Sequence, residues 1–503
     1  EGAALDHLSG RADWRAQIRL GRDDVEVEVD SALVGFASSL PAPLNKGAEE
    51  SWPVHARLSH ASAAPWRLSV KSPDRLAAQL VRRAEDWGGT ITLGAQAAAP
   101  EADSAGLALG GVFEVLDVDA WRRVLDEEPT AGADAQPAAA AFPALARVDV
   151  RATEAHAFGQ VLKAVELQAR NRGGNWTARL KSDVADGEFE WHADGDGTLV
   201  GRFRHLQLGR ADGERTVAEE EQGAQDRTPP RRLPALDITV ERFALRGLDL
   251  GRLEVFARNR DGSWQLDRLA LHNADGEFSG SGFWRARGAQ RTQLDFSLHT
   301  PDVGRFSARL GYPYVVRGGQ ATLSGKLEWA DAPTRIDYRS LAGQMQLDAG
   351  AGQFRKLEPG VGRLLGILSL QALPRRITLD FRDVFSEGFA FDRISGSIAV
   401  ARGVMRTEDL EIRGPAARVR MTGSADVEAE TQDLRVAVQP TLSESVAIGA
   451  AAGLLNPVAG VVTYLAQKAL SDPIEKLFAY QYAITGSWAD PRVERVASPP
   501  RAD

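Results

Sequence analysis

Cysteine is absent from all 503 residues. That excludes disulfides, thiolate metal sites and a Cys nucleophile in one step, although it does not fix the compartment. Histidine is scarce: the eight are scattered, and the closest pair, His55 and His60, suits neither an i,i+4 pair on a helix nor an i,i+2 pair on a strand. HExxH, GxSxG, P-loop and helix-opening GxGxxG motifs are missing. Basic blocks are missing too. The 60 basic residues, only eight of them Lys, are spread among 69 acidic ones for a formal charge of −9, so no nucleic-acid partner is expected. A long charge-free run occurs at 446–466, but Asn456-Pro457 breaks it and Ala and Gly dilute it. We read it as a broken pair of apolar helices rather than a span, with Asp472-Pro473 as N-cap and N1 of a last short helix. With 43% hydrophobic and 26% charged residues, the chain is neither disordered nor a polytopic membrane protein. It opens on Glu1 without a signal peptide, and we expect it to be part of a longer protein.

What the chain has is period two. Leu236, Ile238 and Val240 alternate with Asp237, Thr239 and Glu241; Leu294, Phe296 and Leu298 with Asp295, Ser297 and His299. Ile377, Leu379 and Phe381 alternate with Thr378, Asp380 and Arg382; Leu434, Val436 and Val438 with Arg435, Ala437 and Gln439. Each run puts apolar side chains on one sheet face and polar ones on the other. Turn signals at 171–175, 194–197, 259–263 and 317–319 separate the runs, as in an antiparallel meander.

A repeat underlies the pattern. "VDV" at 148–150 matches "LDI" at 236–238, and "ARNRGGNW" ending at Trp176 matches "ARNRDGSW" ending at Trp264, both at an offset of 88. "ADGEF" ending at Phe189 recurs ending at Phe278. A duplicated β-module follows, which favours stacking over separate globules. The expected division is a β-module with short helices over 1–125, an Ala/Pro-rich linker over 126–147, repeat copies over 148–232 and 233–340, a C-terminal region over 341–496 and a tail over 497–503. A charged loop covers 210–234. Helices are expected at 73–86, 117–125, 360–373 and 446–479; on 360–373, Val361, Leu364, Leu365, Leu368 and Ala372 share one face before Pro374.

Chemistry-bearing motifs do not survive comparison with plainer readings. "HADGDGT" at 192–198 lacks the later ligands and closing Glu of a calcium loop, and reads as an Asp-Gly turn. "NWT" at 175–177 corresponds to "SWQ" in the second copy and reads as strand. The acidic residues mostly alternate with apolar ones, as on a solvated face, so neither enzyme activity nor a metal or cofactor is expected. The apolar face itself has two readings that periodicity does not separate: a closed core, or an open groove filled by ligand.

The stretches 362–396, 402–427 and 480–491 (YQYAITGSWADP), with 233–255 and 36–46 (FASSLPAPLNK) upstream, resemble the AsmA family, most closely its YhdP-like branch. The resemblance implies a mainly β, elongated, curved, open U-shaped groove built from repeats, with a few short helices near the C-terminus. It implies an inner-membrane anchor preceding this segment, a periplasmic body in a Gram-negative bacterium, and phospholipids carried toward the outer membrane at the C-terminal end. Roughly thirty strands about 4.8 Å apart would span on the order of 140 Å. The expected groove lining is Leu236, Ile238, Val240, Leu294, Phe296, Leu298, Ile377, Leu379, Phe381, Leu434, Val436 and Val438. Leu364, Leu365, Leu368, Leu454 and Leu455 are the candidates for membrane docking, the alternative being that their helices only cap the last strands. Envelope proteins of unknown identity are further candidate partners. The alternative function is a scaffold or assembly factor for outer-membrane proteins, acting by β-strand pairing at an exposed edge. A β-helix enzyme acting on polysaccharide is disfavoured, because an 88-residue repeat is too long for one rung.

Overall fold

A computed structural model describes residues 6–62, 64–83, 86–94, 106–126, 145–209, 232–313, 316–355, 389–440 and 480–496. They form 30 strands and two helices, mainly β and rich in antiparallel pairs, in two compact units. The first unit comprises Glu1–Glu214 with Leu236–Gly247, the second Arg215–Ala235 with Leu248–Asp503.

The first unit holds β1 (Leu8–Gly10), β2 (Trp14–Leu20), β3 (Asp24–Ser31), β4 (Phe36–Ser38), β5 (Val54–Ala61), β6 (Ala64–Ser72), β7 (Leu76–Arg83), β8 (Asp86–Leu93) and β9 (Leu107–Asp117). Helix α1 (Val118–Asp126) follows, then β10 (Leu145–Ala157), β11 (Gln160–Arg172), β12 (Asn175–Lys181), β13 (Ala185–His192), β14 (Thr198–Leu208) and β15 (Ala235–Leu245). From β2 to β14 the strands pair in chain order, with only β4 left out to pair with β1. Among the described residues β2 has β3 as its one neighbour, so this sheet is open at that edge. The meander is interrupted once: β9 runs parallel to both β8 and β10, which requires crossovers instead of hairpins.

Residues 73–86, expected as helix, contain strand β7 instead. Leu80 faces Leu68 on β6, and Ala78 faces Ile91 on β8. Ala77 and Val81, apolar on the other face, had masked the period of two. The helix expected at 117–125 forms as α1, with Asp117 accepting the amide of Ala120 at 2.7 Å as an N-cap does. The C-terminal helices expected at 360–373 and 446–479 lie outside the described residues.

The second unit holds β16 (Leu248–Arg260), β17 (Ser263–Asn273), β18 (Gly276–Arg285), β19 (Arg291–Thr300), helix α2 (Val303–Arg309), β20 (Val316–Gly318), β21 (Ala321–Trp329), β22 (Ala342–Ala349), β23 (Gly352–Phe354) and β24 (Ala390–Phe391). It continues with β25 (Arg393–Ala401), β26 (Val404–Arg413), β27 (Ala417–Asp426), β28 (Thr431–Pro440), β29 (Tyr480–Ser487) and β30 (Pro491–Val496). From β16 to β30 an antiparallel ladder runs in chain order, passing over β20, β23 and β24, which form a small sheet of their own. Among the described residues β30 pairs with β29 alone.

The two repeat copies fold alike. β11 and β12 pair Asn171 with Trp176 across Gly173-Gly174, and β16 and β17 pair Asn259 with Trp264 across Asp261-Gly262. All four turn residues have positive φ, between 52° and 89°, as the tight hairpin turns that match strand twist require. The next strands repeat too, Trp176 facing Trp191 and Trp264 facing Trp284.

Candidate functional site

In the second unit the register assembles the alternating residues into rows that cross the strands. One row runs Val255, Leu269, Gly280, Phe296, Gly325, Met345 and Ile398, one residue from each of β16, β17, β18, β19, β21, β22 and β25. A second, parallel to it, runs Leu253, Leu271, Phe278, Leu298, Leu323 and Leu347. A third runs Ala257, Leu266, Gly282, Leu294, Leu327, Gly343 and Val400. No polar side chain interrupts any of the three. Every residue of the first row is half-buried, and at its far end Met345 and Ile398 pack against the buried Trp329, Leu341 and Val400. Phe296 and Phe278 stack with centroids 6.1 Å apart. At about 4.8 Å per strand, the first row is roughly 29 Å long.

One margin of this face is closed by tryptophans. Trp264, Trp284 and Trp329 are buried, and the indole N–H groups of Trp264 and Trp329 donate to the carbonyls of Pro234 (2.8 Å) and Ala332 (3.1 Å). The other margin carries α2, where Arg309 bridges to the buried Asp275 at 2.6 Å and Asp302 caps the helix through the Arg305 amide.

Farther along the ladder the same face is closed. Ile394, Leu410, Ile412, Val419, Met421, Leu434, Val436, Val438 and Ile484 share one packed cluster with Val316, Phe389 and Phe391, and Phe354 packs against it. Val316, Phe354 and Phe391 come from the small sheet β20–β23–β24, which therefore shares a core with β25–β29.

The first unit carries its own apolar rows, such as Val29, Ala56, Val70, Ala78, Ile91, Leu109, Val148, Ala169, Ala178, Phe189 and Gly201. Phe113, Val150, Ala152, Ala155 and Val165 form a compact cluster there. At its open edge, Trp14, Ile18 and Leu20 of β2 are 69%, 64% and 76% exposed.

The opposite faces are polar and laced with ion pairs. Glu411 sits among Arg413, Arg418 and Arg420, and a hydrogen bond from Arg413, helped by the three positive charges, holds its carboxyl below the usual Glu range. Hydrogen bonds from the amide and hydroxyl of Ser397 hold Asp409 low in the same way, and Arg204 does so for Asp186. A depression of about 1210 Å3 lies over β16–β22, lined by Ser279, Ser281, Ser297 and Ser324 and the charged Arg252, Glu254, His272, Glu277, Asp295 and Lys326, and also by Leu269, Leu271, Phe278 and Phe296 of the two rows. Its charges pair among themselves, Glu254 with Arg252 and Arg268, and His272 with Glu277. Among the described residues no three His, Asp or Glu side chains gather as a metal site, and no helix is long and apolar enough to cross a membrane. Asp194 and Asp196 lie on the exposed turn between β13 and β14, His55 bonds Asp30 at 2.8 Å, and His60 stacks on Trp66.

The residues expected to line a groove thus fall in different surroundings. On β19, Leu294, Phe296 and Leu298 are half-buried. On β15, Leu236 and Ile238 are half-buried and Val240 is fully buried. On β28, Leu434, Val436 and Val438 are 2%, 1% and 4% exposed, inside the packed cluster. Ile377, Leu379, Phe381, Leu364, Leu365, Leu368, Leu454 and Leu455 lie outside the described residues. Sequence reasoning missed Val255, Leu269, Leu327 and Met345; the runs 253–257 and 323–327 carried the signal.

The family model described as "YhdP protein" matches residues 1–493. The chain belongs to the YhdP family. A relative from Escherichia coli (strain K12), titled "Intermembrane phospholipid transporter YhdP", is 31% identical over 231 residues, which is 46% of this chain and 18% of that protein. The matched stretch is therefore under a fifth of the relative's length. No solved structure matches.

Proposed function

We propose that the half-open apolar face carries the acyl chains of phospholipids between the inner and outer membranes of a Gram-negative envelope, with the polar face turned to the periplasm. The observation that carries this reading is the unbroken row from Val255 to Ile398, half-buried along its whole length. Its length of roughly 29 Å is about twice the depth of one leaflet's hydrocarbon, some 15 Å. Each CH₂ kept from water is worth about 0.8 kcal/mol, so an acyl chain gains wherever it lies along the row. The charged faces offer nothing comparable to an apolar cargo, and family membership together with the relative's title supports phospholipid as that cargo.

Leu294, Phe296 and Leu298 would then line the open part, with Leu236 and Ile238 doing so in the first unit, while the fully buried Val240 would belong to its packed interior. Leu434, Val436 and Val438 would belong to a closed end. The test is to purify the chain from bacterial cells without detergent, extract it, and identify bound lipid by mass spectrometry. Phospholipid is expected, and less of it in a folded Phe296→Glu variant. A lipid-free, folded wild-type chain would overturn the proposal.

A second reading, assembly of outer-membrane proteins by strand pairing, is favoured by one observation: the open edge at β2 with Trp14, Ile18 and Leu20 exposed. A proline in β2 tests it, as set out below.

A further inference from the structure

On the polar face of β25–β28 the register gathers arginines that lie apart in sequence. Arg393, Arg413 and Arg418 stand opposite one another on β25, β26 and β27, so three like charges form one cross-strand row. Such a row ordinarily weakens a sheet. In the next row Arg420 faces Glu411, and Arg435 follows on β28, opposite Thr422. Glu411 answers three of these charges at once: its carboxylate meets Arg413 at 2.5 Å, Arg418 at 3.2 Å and Arg420 at 3.6 Å. Arg393 pairs with Asp348. Four guanidinium groups thus share two carboxylates, on a chain whose formal charge is −9. Around the depression over β16–β22, by contrast, Arg252, Arg268 and Lys326 meet Glu254, Asp267, Glu277 and Asp295.

The arginines are also set toward an external anion. The Glu411 side chain is only 14% exposed, whereas those of Arg413, Arg418 and Arg420 are each more than half exposed. Arg413 and Arg418 both reach Glu411 through Nε. Among the described residues their Nη groups form no hydrogen bond, so Glu411 fixes the inner edge of each guanidinium and leaves the outer edge open. That edge presents parallel N–H donors that match two oxygens of a phosphate. Asp409, on the same strand as Glu411, is engaged by the amide and hydroxyl of Ser397.

We propose that this face docks on a bilayer bearing anionic phospholipid, its arginines bonding the headgroup phosphates. The proposal rests on the transport reading above, since a carrier must meet a membrane to take up or release its cargo. Here the polar face lies on headgroups instead of water, and charge complementarity selects the surface. The positive charges spread over neighbouring strands, as a plane of phosphates requires.

The test is flotation of the full chain with vesicles of phosphatidylcholine alone or of phosphatidylcholine and phosphatidylglycerol in equal parts. Wild type is compared with Arg413→Gln/Arg418→Gln, with Arg435→Gln, and with a control of equal charge change, Arg179→Gln/Arg260→Gln, at exposed positions far along the chain. Wild type and control are expected to float with the anionic vesicles only, and less so as salt is raised. Partitioning is expected to fall about thirtyfold in the double variant and about fivefold in Arg435→Gln, with melting unchanged. Equal loss in the control, no loss in the variants, or equal binding to both vesicles would overturn the proposal. So would a wild type that ignores both vesicles and binds polyglutamate, which would point to an acidic protein instead. Mass spectrometry of lipid in the same preparations separates the two readings. Co-purified phospholipid without vesicle binding overturns the docking proposal alone, and vesicle binding by a lipid-free chain overturns the transport reading alone.

Discussion

At the scale of single residues, two apolar side chains on one sheet differ in what removing them should do. Ile412 is 2% exposed inside a packed cluster, so Ile412→Ala is expected to cost the second unit about 2–5 kcal/mol. Phe296 is half-buried on an open row, and Phe296→Ala should cost less than 2 kcal/mol while still reducing bound lipid. Urea unfolding followed by tryptophan fluorescence separates the two, and equal losses would mean that both sit in a closed core. The alternation on β15, β19 and β28 was legible because every second residue there is Leu, Ile, Val or Phe. The rest of the face was not, because Gly280, Gly325 and Gly343 hold apolar positions with no hydrophobic signal. A bulge on β17 between Leu266 and Leu269 also breaks the period there.

At the scale of elements, turns and hairpins were readable where local chemistry dictates them, as in the glycine-bearing turns before Trp176 and Trp264. β7 was misread as helix because Ala77 and Val81 put apolar residues on its second face too, and only pairing with β6 and β8 decides the case. The parallel strand β9 was hidden for a similar reason, since parallel and antiparallel neighbours ask for the same side chains. The difference between the open face at β19 and the closed face at β28 depends on β20, β23 and β24, each two or three residues long and invisible to any periodicity. Edge β2 makes its own prediction. Successive backbone N–H groups of a strand point to opposite sides, so of Gln17→Pro and Ile18→Pro one removes an outward donor and the other breaks the ladder to β3. If strand pairing at β2 is the function, the outward variant should lose activity in cells while lipid content is unchanged. If lipid carriage is the function, that variant should keep both.

At the scale of the molecule, each unit is an open sheet with one apolar and one charged face, and family membership covers residues 1–493. Neither sheet face gathers a metal site among the described residues, and the charged groups there are paired with one another, as exposed ion pairs worth about 0–1 kcal/mol each commonly are. What distinguishes a carrier of acyl chains from a folded core is therefore which face a lipid touches. Phe296 and Ser297 are adjacent in β19 and point to opposite faces, so they sample the two sides at one place. The most direct measurement puts a photoactivatable amino acid at each of these positions in turn, irradiates cells, and looks for covalent phospholipid adducts by mass spectrometry. The account predicts adducts at position 296 and none at 297. Absence of adducts at 296, or equal yields at both positions, would contradict it.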